Sequence, residues 1–283
     1  MISVVTPTRN DLEYLRRCVG SVRGQGGANF EHIIQDSCST DGTGDWLRSQ
    51  SDLRGAIEKD DGMYDAINRG WVKSSGEILS WLNADEQYLP GTLEKVRAFF
   101  AKNKEIDFAY GDVLIVDASG NPISARREPR LSHFYVRNKF LYTYSCATFF
   151  RRNLLDKGLL HLNCKYRYAA DMDLILGLLS KGVVVKRIPE YLSLFTMDGS
   201  NLSCSPKMLD ETEEIRRIHG ASSLPLVRRV ATLGRYLERL VCGCLAPVNV
   251  RFSYAVDEVP NYQVMTGADL PASYATNVSL SSP

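Results

Sequence analysis

The residues best suited to chemistry stand at the end of an apolar run. Ile78-Leu79-Ser80-Trp81-Leu82 leads into Asn83-Ala84-Asp85-Glu86, so two adjacent carboxylates follow a predicted strand. Two readings are open for them. They are hard oxygen ligands of the kind that hold Mg²⁺ or Mn²⁺, and they are equally the residue types of a polar turn capping a strand. Three more polar clusters follow predicted strands: Pro7-Thr8-Arg9-Asn10, Asp36 to Thr43, and Lys59-Asp60-Asp61-Gly62. Ligands of open parallel sheets sit at the carboxyl ends of the strands, so the four clusters are expected to converge on one crevice. No Gly-x-Gly-x-x-Gly follows the first strand and no Gly-x-x-x-x-Gly-Lys occurs, so neither a dinucleotide fingerprint nor a P-loop accounts for that crevice. A divalent cation on one or two carboxylates, with diphosphate oxygens and water completing its shell, would hold phosphates without a glycine cradle. A second acidic pair, Asp171 and Asp173, opens a helical stretch, where carboxylates also satisfy the helix dipole.

The elements that would position these groups alternate. Ile2 to Thr6 reads as a strand, and Leu12, Leu15, Val19 and Val22 recur on one face of a helix. His32 to Gln35 makes a second strand, with a helix beginning at Trp46-Leu47; Ala56 to Glu58 is a weak third strand, and Met63 to Val72 a helix ending near Gly70. Strands and helices at this spacing predict a parallel α/β sheet with right-handed crossovers. Beyond Pro90-Gly91 come a helix over Leu93 to Phe100 and strands at Phe108-Ala109-Tyr110 and Val113 to Val116, read as an antiparallel pair. Residues 124 to 145 read as an irregular loop, followed by strand Ala147 to Phe150, helix Asp171 to Leu179 and strand Val183 to Val185. The α/β block, residues 1–203, divides near residue 110. An amphipathic helical extension covers 204–246, and the Ser- and Asn-rich tail 247–283 is expected to have little order.

Bulk properties exclude some classes. A net charge of +1 with interspersed signs does not suit a nucleic-acid-binding surface. No apolar run approaches a spanning helix, and Met1 to Val5 lacks the basic start of a signal peptide, which points to the cytoplasm. Seven scattered cysteines without a Cys-x-x-Cys pair read as reduced thiols, and the four histidines lack metal-ligand spacing. The helix over 224–245 carries Arg228, Arg229, Arg235 and Arg239 between its apolar residues. It either docks on the catalytic block with its arginines in solvent or lies on an anionic membrane surface.

The stretches SVVTPTRN, EHIIQDSCSTDGT, EKDDGMYDAINRG, SSGEILSWLNADEQYLPGTL, CATFFRR and YAADMDLILGLLSKG occur in that order between residue 3 and residue 182. Together they resemble the family 2 glycosyltransferases of GT-A fold, and more narrowly the bacterial enzymes that assemble surface polysaccharides. The resemblance implies an inverting, metal-dependent transfer of a sugar from a nucleotide-sugar, a UDP-sugar by family habit, to a saccharide or lipid-linked saccharide. It implies that Asp36 accepts a hydrogen bond from the nucleotide base, although Asp36 and Asp41 also suit helix capping. Thr6, Pro7 and Arg9 match the loop beside the base, and Asp60 the segment near it. Asn83-Ala84-Asp85 takes the place of the Asp-x-Asp motif, with Asp85 as metal ligand and Glu86 as a second candidate ligand to Mn²⁺ or Mg²⁺. Asp171 matches the general base, with Ala170 where relatives often carry Glu. Ser145-Cys146 replaces the His-Gln common in relatives, so acceptor choice does not carry over. Arg151 and Arg152 suit either a phosphate contact or a salt-bridged pair. The rivals are a non-catalytic nucleotide-sugar binder and a sugar nucleotidyltransferase; the latter needs a glycine-rich basic loop, which Pro7-Thr8-Arg9-Asn10 is not.

Overall fold

Every residue of Ile2–Thr8 is buried, the mark of a strand covered on both faces. This strand, β1, is the axis of the sheet. The computed structural model describes residues 1–27, 29–199, 201–202, 205–259 and 262–270. The chain continues through α1 (Leu12–Arg23), β2 (Phe30–Asp36), α2 (Thr43–Ser49), β3 (Arg54–Ile57), α3 (Met63–Lys73) and β4 (Ile78–Trp81). After these come β5 (Gln87–Tyr88), α4 (Thr92–Lys102), β6 (Phe108–Val116), β7 (Pro122–Arg126), α5 (His133–Asn138), β8 (Thr148–Arg151), α6 (Arg152–Asp156), α7 (Ala170–Ser180) and β9 (Val185–Thr196). The chain then forms α8 (Pro206–Ile218), α9 (Pro225–Val241) and a hairpin of β10 (Val248–Ala255) and β11 (Tyr262–Leu270).

The sheet order is β3-β2-β1-β4-β8-β6-β9-β5, with β7 beside β6. Strands β3, β2, β1 and β4 are mutually parallel, whereas β8 runs antiparallel between β4 and β6. In register, Thr8 faces Asp36, Asp36 faces Ile57 and Val5 faces Trp81, so the loops after these strands emerge along one edge. That edge is where the sequence reading expects the crevice. Helices cover both faces: Ile67 and Trp71 of α3 and Leu174 to Leu176 of α7 pack on one, and Cys18 and Val22 of α1 with Leu93 and Val96 of α4 on the other. Trp81, Phe108 and Phe150 stack through the first of these cores, with centroids 5.9 and 4.6 Å apart.

Several expectations change. Helix α3 does not stop at Gly70 but runs to Lys73, because Gly70 is where the helix presses on β1: a Cβ there would lie 2.3 Å from Val5 Cγ1. The segments 108–110 and 113–116 form one strand rather than an antiparallel pair, with a register shift against β9 at Gly111-Asp112. Buried Asp112 there pairs with Arg187 at 2.6 Å. The stretch 124–145 contains most of β7 and all of α5, and the strand expected at 183–185 is instead β9, which ends at Thr196. The tail is ordered over 248–255 and 262–270, where Phe252, Tyr254 and Leu270 join Leu114, Val116 and Leu194 in an apolar cluster. Its final stretch, 271–283, and the boundary at 203/204 lie outside the described residues. Cys204 does too; the other six cysteines are free thiols.

Candidate active site

The crevice exists and has a volume of 830 Å³. Its walls come from the ends of β1, β2 and β4, the start of α3 and the start of α7, and Pro7, Arg9, Asp60, Asn83, Asp85 and Asp171 all line it. The loops are tied to each other. Asn10 Oδ1 accepts from Thr40 N at 2.7 Å, Asp41 Oδ2 from Leu12 N at 3.0 Å, and Asp60 Oδ1 from Ser37 Oγ at 2.9 Å. Ala84 also lines the crevice.

Three of the expected residues sit behind this wall. Thr6 is fully buried, with its hydroxyl 2.9 Å from His32 Nε2, so only its backbone neighbours reach the loop beside the crevice. Asp36 is fully buried and accepts from Ser39 N at 3.1 Å and from the Ser39 hydroxyl, which makes it the lock of the β2–α2 turn. Glu86 is also fully buried; Asn83 N donates to its Oε2 at 2.8 Å and Ser145 Oγ to its Oε1 at 3.1 Å. Burial, then the charge of Asp85, push the Glu86 carboxyl up to about 8. Its longer side chain folds back to close the turn and does not line the crevice, so the adjacent carboxylates have separate places.

Asp85 faces the crevice, and Asn201 Nδ2 lies 3.4 Å from its Oδ2. Burial, followed by the charges of Asp11 and Asp198, raises its carboxyl to about 6. The buried Asn83 Oδ1 has no hydrogen-bond partner. Uncompensated negative charge and an unpaired oxygen in one turn suit a bound cation. Among the described residues, however, no three His, Cys, Asp or Glu side chains converge as a closed metal cage. The donor set therefore suits an ion that takes one or two protein oxygens and completes its shell with phosphate and water.

Asp171 lies in the first turn of α7, and its Oδ1 accepts from Met172 N at 2.9 Å. Burial raises it to about 6. Asp173 is drawn away instead: it pairs with His219 at 2.8 Å, which holds its carboxyl below the ordinary value, and it does not line the crevice. Arg151 and Arg152 have structural work at the opposite edge of the sheet. Arg151 donates to the carbonyls of Phe100, Asn103 and Ile106, and Arg152 to the Gly76 carbonyl and Ser74 Oγ.

Residues absent from the sequence reading complete the site. Asp11 precedes α1 as an N-cap would, yet its side chain makes no capping bond, lines the crevice and is raised to about 6 by burial and by Asp198. Glu211 of α8 accepts from Arg167 N at 2.8 Å, Tyr168 N at 2.8 Å and Ala169 N at 3.1 Å, gripping the three residues that lead into α7. A capping pattern could have flagged Asp11. Nothing local marks Glu211.

This sheet and its crevice have the architecture of a GT-A glycosyltransferase. The family described as Glycosyl transferase family 2 matches residues 3–159. A PGL/p-HBAD biosynthesis glycosyltransferase of Mycobacterium bovis (strain BCG / Pasteur 1173P2) is 32% identical over 247 residues, covering 85% of this chain and 92% of that protein. TuaG of Bacillus subtilis (strain 168), a glycosyltransferase named for teichuronic acid biosynthesis, is 26% identical over 235 residues, 77% of this chain and 90% of that one. Among solved structures, S. aureus TarS 1–349 in complex with UDP-GlcNAc superposes with a TM-score of 0.62 at 18% identity, covering 86% of this chain and 75% of that one. The mannosyltransferase PcManGT from Pyrobaculum calidifontis, in complex with GDP-Man and Mn²⁺, gives 0.58 at 18% identity, over 83% and 69% of the two chains. The chain belongs to glycosyl transferase family 2 and is a glycosyltransferase.

Proposed function

We propose that the protein is an inverting, metal-dependent glycosyltransferase. It moves a sugar from a nucleotide-sugar, a UDP-sugar in first place, to a saccharide or lipid-linked saccharide during surface polysaccharide assembly, at the cytoplasmic face of the membrane. The observation that carries this reading is that Asp85, from the end of β4, and Asp171, from the start of α7, line one crevice. The loops Pro7 to Arg9 and around Asp60 form the nucleotide side, with Asp36 holding the turn between them. Mn²⁺ or Mg²⁺ would be held by Asp85, with Asn83 Oδ1 beside it, and when bound supplies positive charge against the departing diphosphate. Asp171 takes the proton of the acceptor hydroxyl as that oxygen attacks the anomeric carbon. The bond from that carbon to the diphosphate breaks, the nucleoside diphosphate leaves with the electron pair, and the configuration inverts.

The test is Asp171→Asn. Turnover is expected to fall about 10²- to 10⁴-fold, the usual contribution of a positioned base, with nucleotide affinity retained. Product followed by NMR from a UDP-sugar of known anomeric configuration should show the opposite configuration; retention would overturn the mechanism.

A further inference from the structure

An amphipathic surface helix ordinarily turns its apolar stripe inward. Helix α9 does the reverse. Its inward side carries Arg235 and Arg239, both paired with buried Glu128, together with Arg228 on Glu213 at 2.6 Å and Glu238 on Arg130 at 2.5 Å. Gly234 lets the helix settle against Tyr135 of α5, where a Cβ would lie 3.1 Å from the phenol oxygen. The outward side is Leu226, Val230, Leu233, Leu237, Leu240 and Val241, each between 48% and 85% exposed. The expected docking with arginines in solvent is therefore inverted.

Beside this ridge runs a 560 Å³ groove whose lining includes Lys139, Arg216, Arg228 and Arg229, and which shares Leu233 and Tyr236 with the helix. Glu213 answers two of the four cations, Arg216 and Arg228. Arg229 and Lys139 pair with no carboxylate among the described residues. The outward side of α9 has no acid, because Glu238 faces Arg130.

We infer that α9 and this groove form a binding site for an anionic phospholipid surface, the leucine ridge entering the acyl boundary and the groove taking phosphate headgroups. The charge chooses the occupant. Leucines beside a groove in which Arg229 and Lys139 are left without an acidic partner complement a negatively charged interface, whereas a second copy would set the same cations against themselves. A helix of this length lies about 25 Å along such a surface. Helix α9 packs on α5, and α5 on α7, so the face borders the half of the molecule that holds Asp171. The site rests on the proposed lipid-linked acceptor for its purpose, while the transfer chemistry does not depend on it.

The experiment is flotation of the full chain with phosphatidylcholine vesicles, with and without phosphatidylglycerol, alongside Mn²⁺-dependent UDP titration of the same samples. The wild type should prefer phosphatidylglycerol vesicles in a salt-sensitive way. The double variant Lys139→Glu/Arg229→Glu should lower that binding by about tenfold or more, at about 1 kcal/mol for each cation near the surface. Leu233→Asp with Leu237→Asp should abolish binding to both vesicles, and both variants should keep the UDP affinity of the wild type. Indifference of the wild type to vesicles overturns the site, as does equal binding by the leucine variant. A wild-type dimer that the leucine variant splits, without vesicle binding, assigns the face to a second copy instead. Loss of UDP binding in the wild type would strike the proposed donor chemistry and leave the lipid result standing.

Discussion

Asp171 is under opposed demands. As the proposed base it must be ionised, yet burial raises its carboxyl from 3.8 to about 6. The active form is the carboxylate, so turnover should be full above this value and be lost as pH falls through about 6; a rate profile flat down to pH 4 would contradict the role. The linkage to folding has the other sign. A carboxyl raised in the folded state contributes stability that is fully present below 3.8 and is lost as pH rises through about 6. Asp171→Asn should therefore raise the melting temperature at pH 7, by about 1–2 kcal/mol of stability once partial exposure is allowed for, while it lowers turnover. A differential scan of the two proteins at pH 4 and pH 7 separates the effects, because the gain should disappear at pH 4.

At the scale of elements, the strands β1, β2 and β4 were legible because apolar, β-branched runs mark strands buried on both faces. The crevice followed from their parallel order. What the sequence hides depends on partners far along the chain. Whether α9 presents arginines or leucines outward is decided by Glu128, which no helical period announces. The hairpin β10–β11 does show alternation at Val248, Val250, Phe252 and Tyr254, but the Ser- and Asn-rich composition of the tail masks it. Glu86 is a similar case: adjacency to Asp85 suggested a shared ligand role, whereas its side chain is turned back by Asn83 N and by Ser145, on a distant segment. The grip of Glu211 on the lead into α7 makes an element-scale prediction. Glu211→Ala frees three backbone N–H groups and should cost about 2 kcal/mol of stability, and it should reduce turnover without weakening nucleotide binding. Calorimetric melting and steady-state kinetics would check this, with Glu211→Asp expected to recover only part of either.

Across the whole molecule, the chain closes on itself. The hairpin segment returns to the first helix and to β5: Gln87 exchanges hydrogen bonds with the backbone of Ala255 at 2.7 and 3.1 Å, and a Cβ on Gly20 would lie 2.0 Å from the Asp257 carbonyl oxygen. Ending the chain at Ala246 should therefore destabilise the α/β block, by about 4 kcal/mol or more for the buried Phe252, Tyr254 and Leu270. A melting curve of the shortened chain reads this directly. The crevice that this closure supports is tested by calorimetric titration of UDP and GDP, with and without Mn²⁺, into the wild type and Asp85→Ala. UDP should bind in preference to GDP, and its binding should require both Mn²⁺ and Asp85. Equal UDP binding with and without Mn²⁺, unchanged by Asp85→Ala, would contradict this and leave Asn83 to Glu86 as a turn that ends a strand.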